Sequence, residues 1–175
     1  SFIDFSQAFD KVWRFGLWNK LLNEINGKIF RIIFSMYQNI KSCVLLSGES
    51  SNFFNSDIGV RQGDNLSPLL FSIFLNDLQE HLAADNVKGV ELKDTFDESV
   101  WLKLFLLLYA DDTIILSDSK DDLQKALNSF NTYCNIWKLK VNTNKTKVII
   151  FGARNRTRYK FMLGETTLEA AQIDD

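Results

Sequence analysis

Two adjacent carboxylates, Asp111 and Asp112, stand between two strongly apolar runs. The runs, residues 104–109 and 113–116, predict two strands, and the acids would then occupy the turn of a hairpin with buried flanks. Like charges this close repel each other unless a cation or a hydrogen-bond donor compensates them. Ordinary turn formation is an equally good explanation on composition alone, because aspartate is common in turns.

A further carboxylate, Asp4, ends a predicted strand over residues 2–5. If this strand lies beside the hairpin, Asp4 and Asp111 converge at one edge of a sheet, with Asp112 as a further candidate. Clustered carboxylates suit Mg²⁺, which binds through one or two carboxylates together with substrate phosphates. Two such ions stabilise the attacking and leaving oxygens of an in-line displacement. The pattern therefore predicts phosphoryl-transfer chemistry.

Two helices and a pair of strands are predicted between Asp4 and residue 58. Helical periodicity is carried by Leu17, Leu21, Leu22 and Ile25, and a second helix is predicted over residues 29–40. Strands over residues 41–47 and 53–58 are predicted to pair with each other.

Further helices and strands are predicted on either side of the hairpin. Ser67, as a hydroxyl N-cap before Pro68, opens a helix predicted to end near Ala84. Ser119 and Asp122 resemble a capping box, which opens another helix to about Trp137. The last elements are a strand at 148–151 and a hairpin over 160–168. Adjacent hairpins without regular βαβ alternation predict an α+β domain with an antiparallel sheet backed by helices.

Composition bounds the class of protein. With 175 residues, of which 46% are apolar and 24% charged, the chain predicts part of one folded domain. No apolar run approaches the roughly 20 residues that cross a bilayer, so we expect no membrane partner. Cys43 and Cys134 fit no metal-ligand spacing and predict reduced thiols in an intracellular protein. The single histidine, His81, is expected to be a solvated surface residue.

Charge is unevenly distributed. Residues 138–160 carry eight basic and no acidic side chains, a local charge of +8, whereas the whole chain carries −2 and the remainder therefore −10. Such asymmetry predicts a phosphate-facing patch beside an acidic body. A solvated basic hairpin is an equally good explanation on charge alone.

Four segments, in order, resemble the sequence motifs of reverse transcriptases. Residues 2–10 resemble motif A, residues 59–71 motif B, Tyr109-Ala110-Asp111-Asp112 motif C, and residues 139–151 motif D. The run Arg61-Gln62-Gly63 followed by Leu66-Ser67-Pro68 is most similar to non-LTR (LINE-type) retrotransposon polymerases. A group II intron-type enzyme, which shares the Tyr-Ala-Asp-Asp motif, is the alternative within enzymes.

The resemblance implies the palm of a right-hand polymerase over residues 1–175, with a motif E-like hairpin starting at 160–168. The fingers and thumb would be missing, so we expect the isolated piece to be inactive or nearly so. It further implies an RNA-directed DNA polymerase with an RNA template, a DNA primer, dNTPs and two Mg²⁺ ions, for which Mn²⁺ could substitute. The parent would act in the nucleus. A decayed element that folds and at most binds nucleic acid is the non-enzymatic alternative.

The resemblance also implies roles for single residues. Asp4, Asp111 and Asp112 would hold the metals. Phe9 would underlie the incoming sugar and exclude a 2′-hydroxyl, unless it is an ordinary core residue. Gln62 and Gly63 would form the loop against nucleotide and template.

Other roles lie around this centre. Arg61 would contact phosphate or form a surface salt bridge, Lys145 would protonate the departing pyrophosphate or be a surface lysine, and Tyr109 would pack near the primer end. Asp10 is expected to cap or pair structurally. The basic residues expected to contact nucleic acid are Lys138, Lys140, Lys147, Arg154, Arg156, Arg158 and Lys160.

Overall fold

A computed structural model describes residues 1–93, 101–104, 106–109, 112–151 and 159–172. The chain divides into two compact units. Unit 1 comprises Ser1–Ala8 and Asn76–Asp175, and unit 2 comprises Phe9–Leu75. Within the described ranges, no helix is both long and apolar enough to span a membrane.

Helices and short strands are mixed along the chain. The helices are α1 (Arg14–Glu24), α2 (Gly27–Met36), α3 (Ser67–Leu75), α4 (Leu78–Ala84) and α5 (Lys120–Trp137). The strands are β1 (Phe2–Asp4), β2 (Lys41–Ser42), β3 (Leu45–Leu46), β4 (Glu49–Ser50), β5 (Phe54–Asn55), β6 (Val90–Lys93), β7 (Trp101–Leu104), β8 (Leu106–Tyr109), β9 (Asp112–Ile115), β10 (Val148–Ile150), β11 (Lys160–Leu163) and β12 (Thr166–Gln172).

Unit 1 contains an antiparallel sheet in the order β1-β9-β8. A second sheet, in the order β10-β12-β11, joins an antiparallel hairpin to β10 by parallel pairing. The long helix α5 packs against α4 and β11, and Phe130 on its buried face meets Phe5 with ring centroids 5.9 Å apart. The predicted antiparallel sheet is thus confirmed, with one parallel pair added.

The start of α5 is capped as the sequence predicts. The Ser119 hydroxyl accepts a hydrogen bond from the Asp122 amide at 3.1 Å and donates to the Asp122 carboxylate at 2.6 Å. The helix ends where Lys138 adopts a left-handed conformation, with φ of 57°. The side chain of Ser119 therefore satisfies a helix amide that no backbone carbonyl reaches.

Unit 2 is built on aromatic packing between helices. Trp18 on α1 meets the rings of Phe30, Phe34 and Tyr37 with centroids 5.5 to 6.4 Å apart. The helix α1 also packs on α3, where Lys20 donates to the carbonyl of Phe74. On α3 the apolar side chains Leu70, Phe71, Phe74 and Leu75 are buried, and on α2 Ile33 is buried. Phe34 on α2 is exposed, as is Leu22, which was predicted on the apolar face of α1.

Three predictions about elements are corrected. The helix predicted over 67–84 breaks at Asn76 and Asp77, residues that favour turns over helix interiors. Ser67 is the first residue of α3, not its cap, and its hydroxyl donates to the carbonyl of Arg61. The strands predicted at 41–47 and 53–58 are short ladders, in which β2 pairs with β5 and β3 with β4.

His81 is not the solvated residue that was predicted. It is half-buried, its Nε2 lies 3.2 Å from the carbonyl oxygen of Ser129, and its ring meets that of Tyr133 edge-on at 5.4 Å. Cys43 is exposed and Cys134 is buried, and both are free thiols.

Candidate active site

The strand β1 lies between two neighbours in unit 1. On one side it pairs with β9, with Asp4 opposite Asp112. On the other side it meets the segment 140–147, where the amide of Asn142 donates to the Asp4 carbonyl at 2.8 Å and the amide of Lys147 to the Phe2 carbonyl at 2.9 Å. Asp4 is therefore held by backbone contacts on both sides of β1, although it lies only three residues after Ser1.

Asp4 and Asp112 project from the same face of the sheet, because directly opposed residues of an antiparallel pair do so. Opposed side chains of this kind start about 5 Å apart, and two carboxylates there repel each other. Asp112 is exposed and the Asp4 side chain is 33% exposed. The pair thus concentrates negative charge at an accessible position.

Lys145 provides a positive charge at this position. Its Nζ lies 4.0 Å from Oδ2 of Asp4, and its side chain is 72% exposed. The turn that carries it is fixed by Thr146, whose buried hydroxyl donates to the Asn142 carbonyl at 2.9 Å. An ion pair this exposed contributes little to the stability of the fold. Its significance is that it places the Lys145 ammonium beside the Asp4 carboxylate.

These three residues line an open cleft of about 350 Å³. The remaining walls come from both paired strands, and the lining comprises residues 2–4, residues 112–114 and Lys145. The first strand does lie beside the hairpin, as the sequence predicts, since β1 pairs with β9 and β9 with β8.

Asp111 falls outside the described residues, as does Ala110. Through the backbone, Tyr109 pairs with Asp112 across the hairpin. Within the part of the chain that the structure describes, no group of three or more acidic, histidine or cysteine side chains is arranged to hold a metal. The predicted trio is therefore represented by Asp4 and Asp112.

The basic residues after α5 are described in part. Lys138, Lys140, Lys147 and Lys160 are exposed, and Lys147 donates to the carbonyl of Asn144 at 3.0 Å. Arg154, Arg156 and Arg158 lie outside the described residues.

Unit 2 holds the other predicted side chains. Phe9 is half-buried and its ring lies 5.1 Å from that of Phe71. The Gln62 amide donates to both carboxylate oxygens of Asp10, each at 2.9 Å, so Asp10 pairs structurally as expected. Gly63 is exposed and has a φ of 80°.

Arg61 has two contacts in unit 2. It donates to the carbonyl of Met36 at 2.8 Å, and its guanidinium lies 5.6 Å from the centre of the Tyr37 ring. These contacts anchor the side chain to the end of α2.

Residues 1–166 match the family described as reverse transcriptase (RNA-dependent DNA polymerase). The chain belongs to the reverse transcriptase family. The family assignment predicted from four short motifs is confirmed over nearly the whole length of the chain.

Curated relatives of this reverse transcriptase domain come from mobile elements. The RNA-directed DNA polymerase from mobile element jockey is 29% identical over 88% of the chain in Drosophila melanogaster and 30% identical over 86% in Drosophila funebris. The probable RNA-directed DNA polymerase from transposon X-element of Drosophila melanogaster is 25% identical over 89%. The chain spans 16% of the length of each of these relatives. The expected likeness to retrotransposon polymerases is confirmed.

One residue of this reverse transcriptase domain escaped the sequence analysis. Arg14 is 9% exposed and donates to the carbonyls of Gly59 at 2.7 Å, Ser56 at 2.6 Å and Ile58 at 3.0 Å. Burial lowers the pKa of Arg14, yet arginine remains protonated at neutral pH. Its spacing from Leu17 and Leu21, three and seven residues on, was the available signal, because it places an arginine on the apolar face.

Proposed function

We propose that this reverse transcriptase domain is the palm of a retrotransposon RNA-directed DNA polymerase. Its motifs would be residues 2–10, 59–71, 109–112 and 139–151, followed by the start of a motif E-like hairpin at 160–168. The observation that carries the proposal is the pairing of Asp4 with Asp112 beside Lys145. Because the chain spans 16% of its first relatives, the activity proposed is that of the full-length protein.

The acidic pair is suited to divalent cations. Two opposed carboxylates with one amine 4.0 Å from Asp4 leave excess negative charge and unused oxygen lone pairs at the cleft. Such oxygen ligands suit Mg²⁺, and Mn²⁺ accepts the same kind of ligand. Asp4, Asp111 and Asp112 would hold two ions. When bound, the ions neutralise the developing charge on the phosphates and on the primer 3′-hydroxyl.

The chain's own side chains would then orient substrate and move protons. Lys145, whose Nζ reaches the Asp4 carboxylate, would carry the proton that the departing pyrophosphate takes up. Phe9 would bear the sugar of the incoming dNTP, with support from the ring of Phe71 behind it. The Gln62 and Gly63 loop would approach nucleotide and template. Tyr109 would lie near the primer end.

The nucleic acids would follow the basic surface. Exposed lysines on residues 138–160 are suited to the phosphates of an RNA template and a DNA primer, and Arg61 would add a phosphate contact. The proposal implies an intracellular protein, and for the parent a nuclear one.

The test is primer extension on an RNA template by the full-length protein with dNTPs and Mg²⁺. Asp4→Asn is compared with the wild type and with Asp118→Asn, the same change at an exposed position beyond β9. Asp4→Asn should lower kcat by about 100-fold or more, since removing one preorganised charge-stabilising group commonly costs this much. Asp118→Asn should extend primers at the wild-type rate.

Two results would overturn the proposal. One is a folded wild-type protein that extends no primer with Mg²⁺ or Mn²⁺, which would favour the decayed-element alternative. The other is equal activity in Asp4→Asn and Asp118→Asn, which would remove Asp4 from the catalytic site.

A further inference from the structure

Arg14 directs all three nitrogens of its guanidinium at one segment of unit 2. Nε donates to Gly59, Nη1 to Ser56 and Nη2 to Ile58, at 2.6 to 3.0 Å. A planar fork is needed to bind three carbonyls from one short stretch of chain. Arg14 therefore holds the backbone of residues 56–59 in one conformation.

The held segment is docked against the chain around Asp10. The amide of Gly59 donates to the Val12 carbonyl at 2.9 Å, and the amide of Val60 to the Phe9 carbonyl at 2.7 Å. A Cβ at Gly59 would lie 2.7 Å from the carbonyl carbon of Asp10, so this approach is as close as the backbone allows. Residues 59–60 are thereby fixed beside residues 9–12.

The three hydrogen bonds of Arg14 to Ser56, Ile58 and Gly59 form a clamp on this segment. The clamped segment leads directly into the Arg61-Gln62-Gly63 loop. Gln62 completes the docking, since its amide donates to both oxygens of Asp10. Tyr37 links the two arginines, because the guanidinium of Arg14 lies 5.2 Å and that of Arg61 5.6 Å from its ring centre. A displacement of residues 56–59 would therefore move Gln62 away from Asp10.

We propose that Arg14 is a positioning residue for the nucleotide-binding loop. By fixing the carbonyls of Ser56, Ile58 and Gly59, it holds Gln62 where the incoming dNTP binds. The proposal rests on the function proposed above for Gln62. Lysine at this position retains the charge but not the fork, so Arg14→Lys removes most of the clamp with little change in charge or volume.

The first experiment measures amide hydrogen exchange in the full-length protein and does not depend on activity. Arg14→Lys should speed exchange at Gly59 and Val60 by about tenfold or more, while the amides of α5 exchange at the wild-type rate. Arg31→Lys, the same change at an exposed position of α2, should leave both regions unchanged. If Arg14→Lys does not fold, Arg14→Gln is measured instead, because it retains an amide donor and buries no charge.

The second experiment measures steady-state primer extension. Arg14→Lys should raise the KM for dNTP by about tenfold and change kcat less than about twofold. In a Gln62→Ala background the same substitution should change KM less than about twofold, because both residues act through one loop. If Arg14 had a purely structural role, the effect of Arg14→Lys on the KM for dNTP would multiply with that of Gln62→Ala.

The outcomes separate the two proposals. Unchanged exchange at Gly59 and Val60, or KM effects that multiply with those of Gln62→Ala, would overturn the role of Arg14. Faster exchange in a protein whose wild type extends no primer would retain the clamp, refute the polymerase function and thereby remove the nucleotide from the role assigned to Arg14.

Discussion

Two glycines of unit 2 share a backbone conformation but not their surroundings. Gly59 and Gly63 both have a φ of 80°, a region in which side chains other than glycine are strained. At Gly63 a Cβ would meet no atom within 4 Å, whereas at Gly59 it would meet the backbone of Asp10. Backbone atoms cannot rotate away as side-chain ends can, so only Gly59 is restricted by packing as well as by conformation.

Alanine at the two positions should therefore have different effects. Gly63→Ala should lower the free energy of unfolding by about 1 kcal/mol, the usual cost of a left-handed non-glycine residue. Gly59→Ala should cost more than about 2 kcal/mol, because the clash with Asp10 is added. Urea unfolding of both variants measures the difference, and equal losses would contradict the close approach.

At the level of elements, the buried face of α5 contains two weak acids. Burial raises the pKa of the Cys134 thiol from 9.0 to about 12. Burial and the hydrogen bond that its hydroxyl donates to Asp77 at 2.6 Å also raise the pKa of Tyr133. Both groups are neutral in the folded protein at a pH at which the unfolded chain has ionised.

Stability should therefore fall at alkaline pH. Between about pH 9 and pH 12 the unfolded chain loses the Cys134 proton while the folded protein retains it, so the unfolded state binds fewer protons. The free energy of unfolding should then fall by about 1.4 kcal/mol per pH unit from this thiol. Denaturant unfolding from pH 8 to pH 10.5 should show a shallower decline in Cys134→Ala than in the wild type.

The exposed thiol provides the matched control. The stability of Cys43→Ala should decline with pH as steeply as that of the wild type, because the Cys43 side chain is exposed and folding does not remove it from water. If Cys134→Ala declined just as steeply, the buried thiol would not be the source of the effect.

Some helices and strands could be predicted from the sequence, and others could not. Local signals were sufficient for the Ser119 cap, and the two apolar runs correctly predicted the hairpin that brings Asp112 beside Asp4. The break at Asn76 was missed because apolar periodicity continues through it from Phe74 to Leu78. The parallel pairing of β10 with β12 depends on partners about twenty residues apart, which no local pattern specifies.

Arg14 shows the same limit within the candidate site. Its spacing from Leu17 and Leu21 indicates burial, but its partners are backbone carbonyls, which side-chain types do not identify. The position of Lys145 was anticipated only through the family resemblance. The sequence thus indicated that Asp4 and the hairpin lie together, whereas the contacts of Arg14 with the main chain were not predicted.

For the whole molecule, the separation of charge predicts how the proposed nucleic-acid substrates would bind. The segment 138–160 carries +8 against −10 elsewhere in a chain of net charge −2. Binding to a polyanion releases condensed counterions in proportion to the phosphates contacted. The affinity of the full-length protein should therefore depend on salt through these basic residues.

Replacing Lys140 and Lys160 by glutamine tests this dependence. Each lysine that contacts a phosphate should, when removed, reduce the slope of log K against log salt by about 0.7 to 0.9. The control removes the same charge at two exposed lysines of unit 2, Lys28→Gln with Lys41→Gln. Fluorescence anisotropy with an RNA–DNA hybrid measures both slopes, and equal slopes would favour a solvated hairpin.

The position of β1 has a consequence for biosynthesis. Its two neighbours, β9 at Asp112–Ile115 and the segment 140–147, are made more than a hundred residues after it. Contacts so distant in sequence form slowly and cannot begin until the later segment has been translated. The acidic pair therefore forms late. During synthesis on the ribosome, Asp4 has no strand partner until the segment that contains Asp112 has been translated.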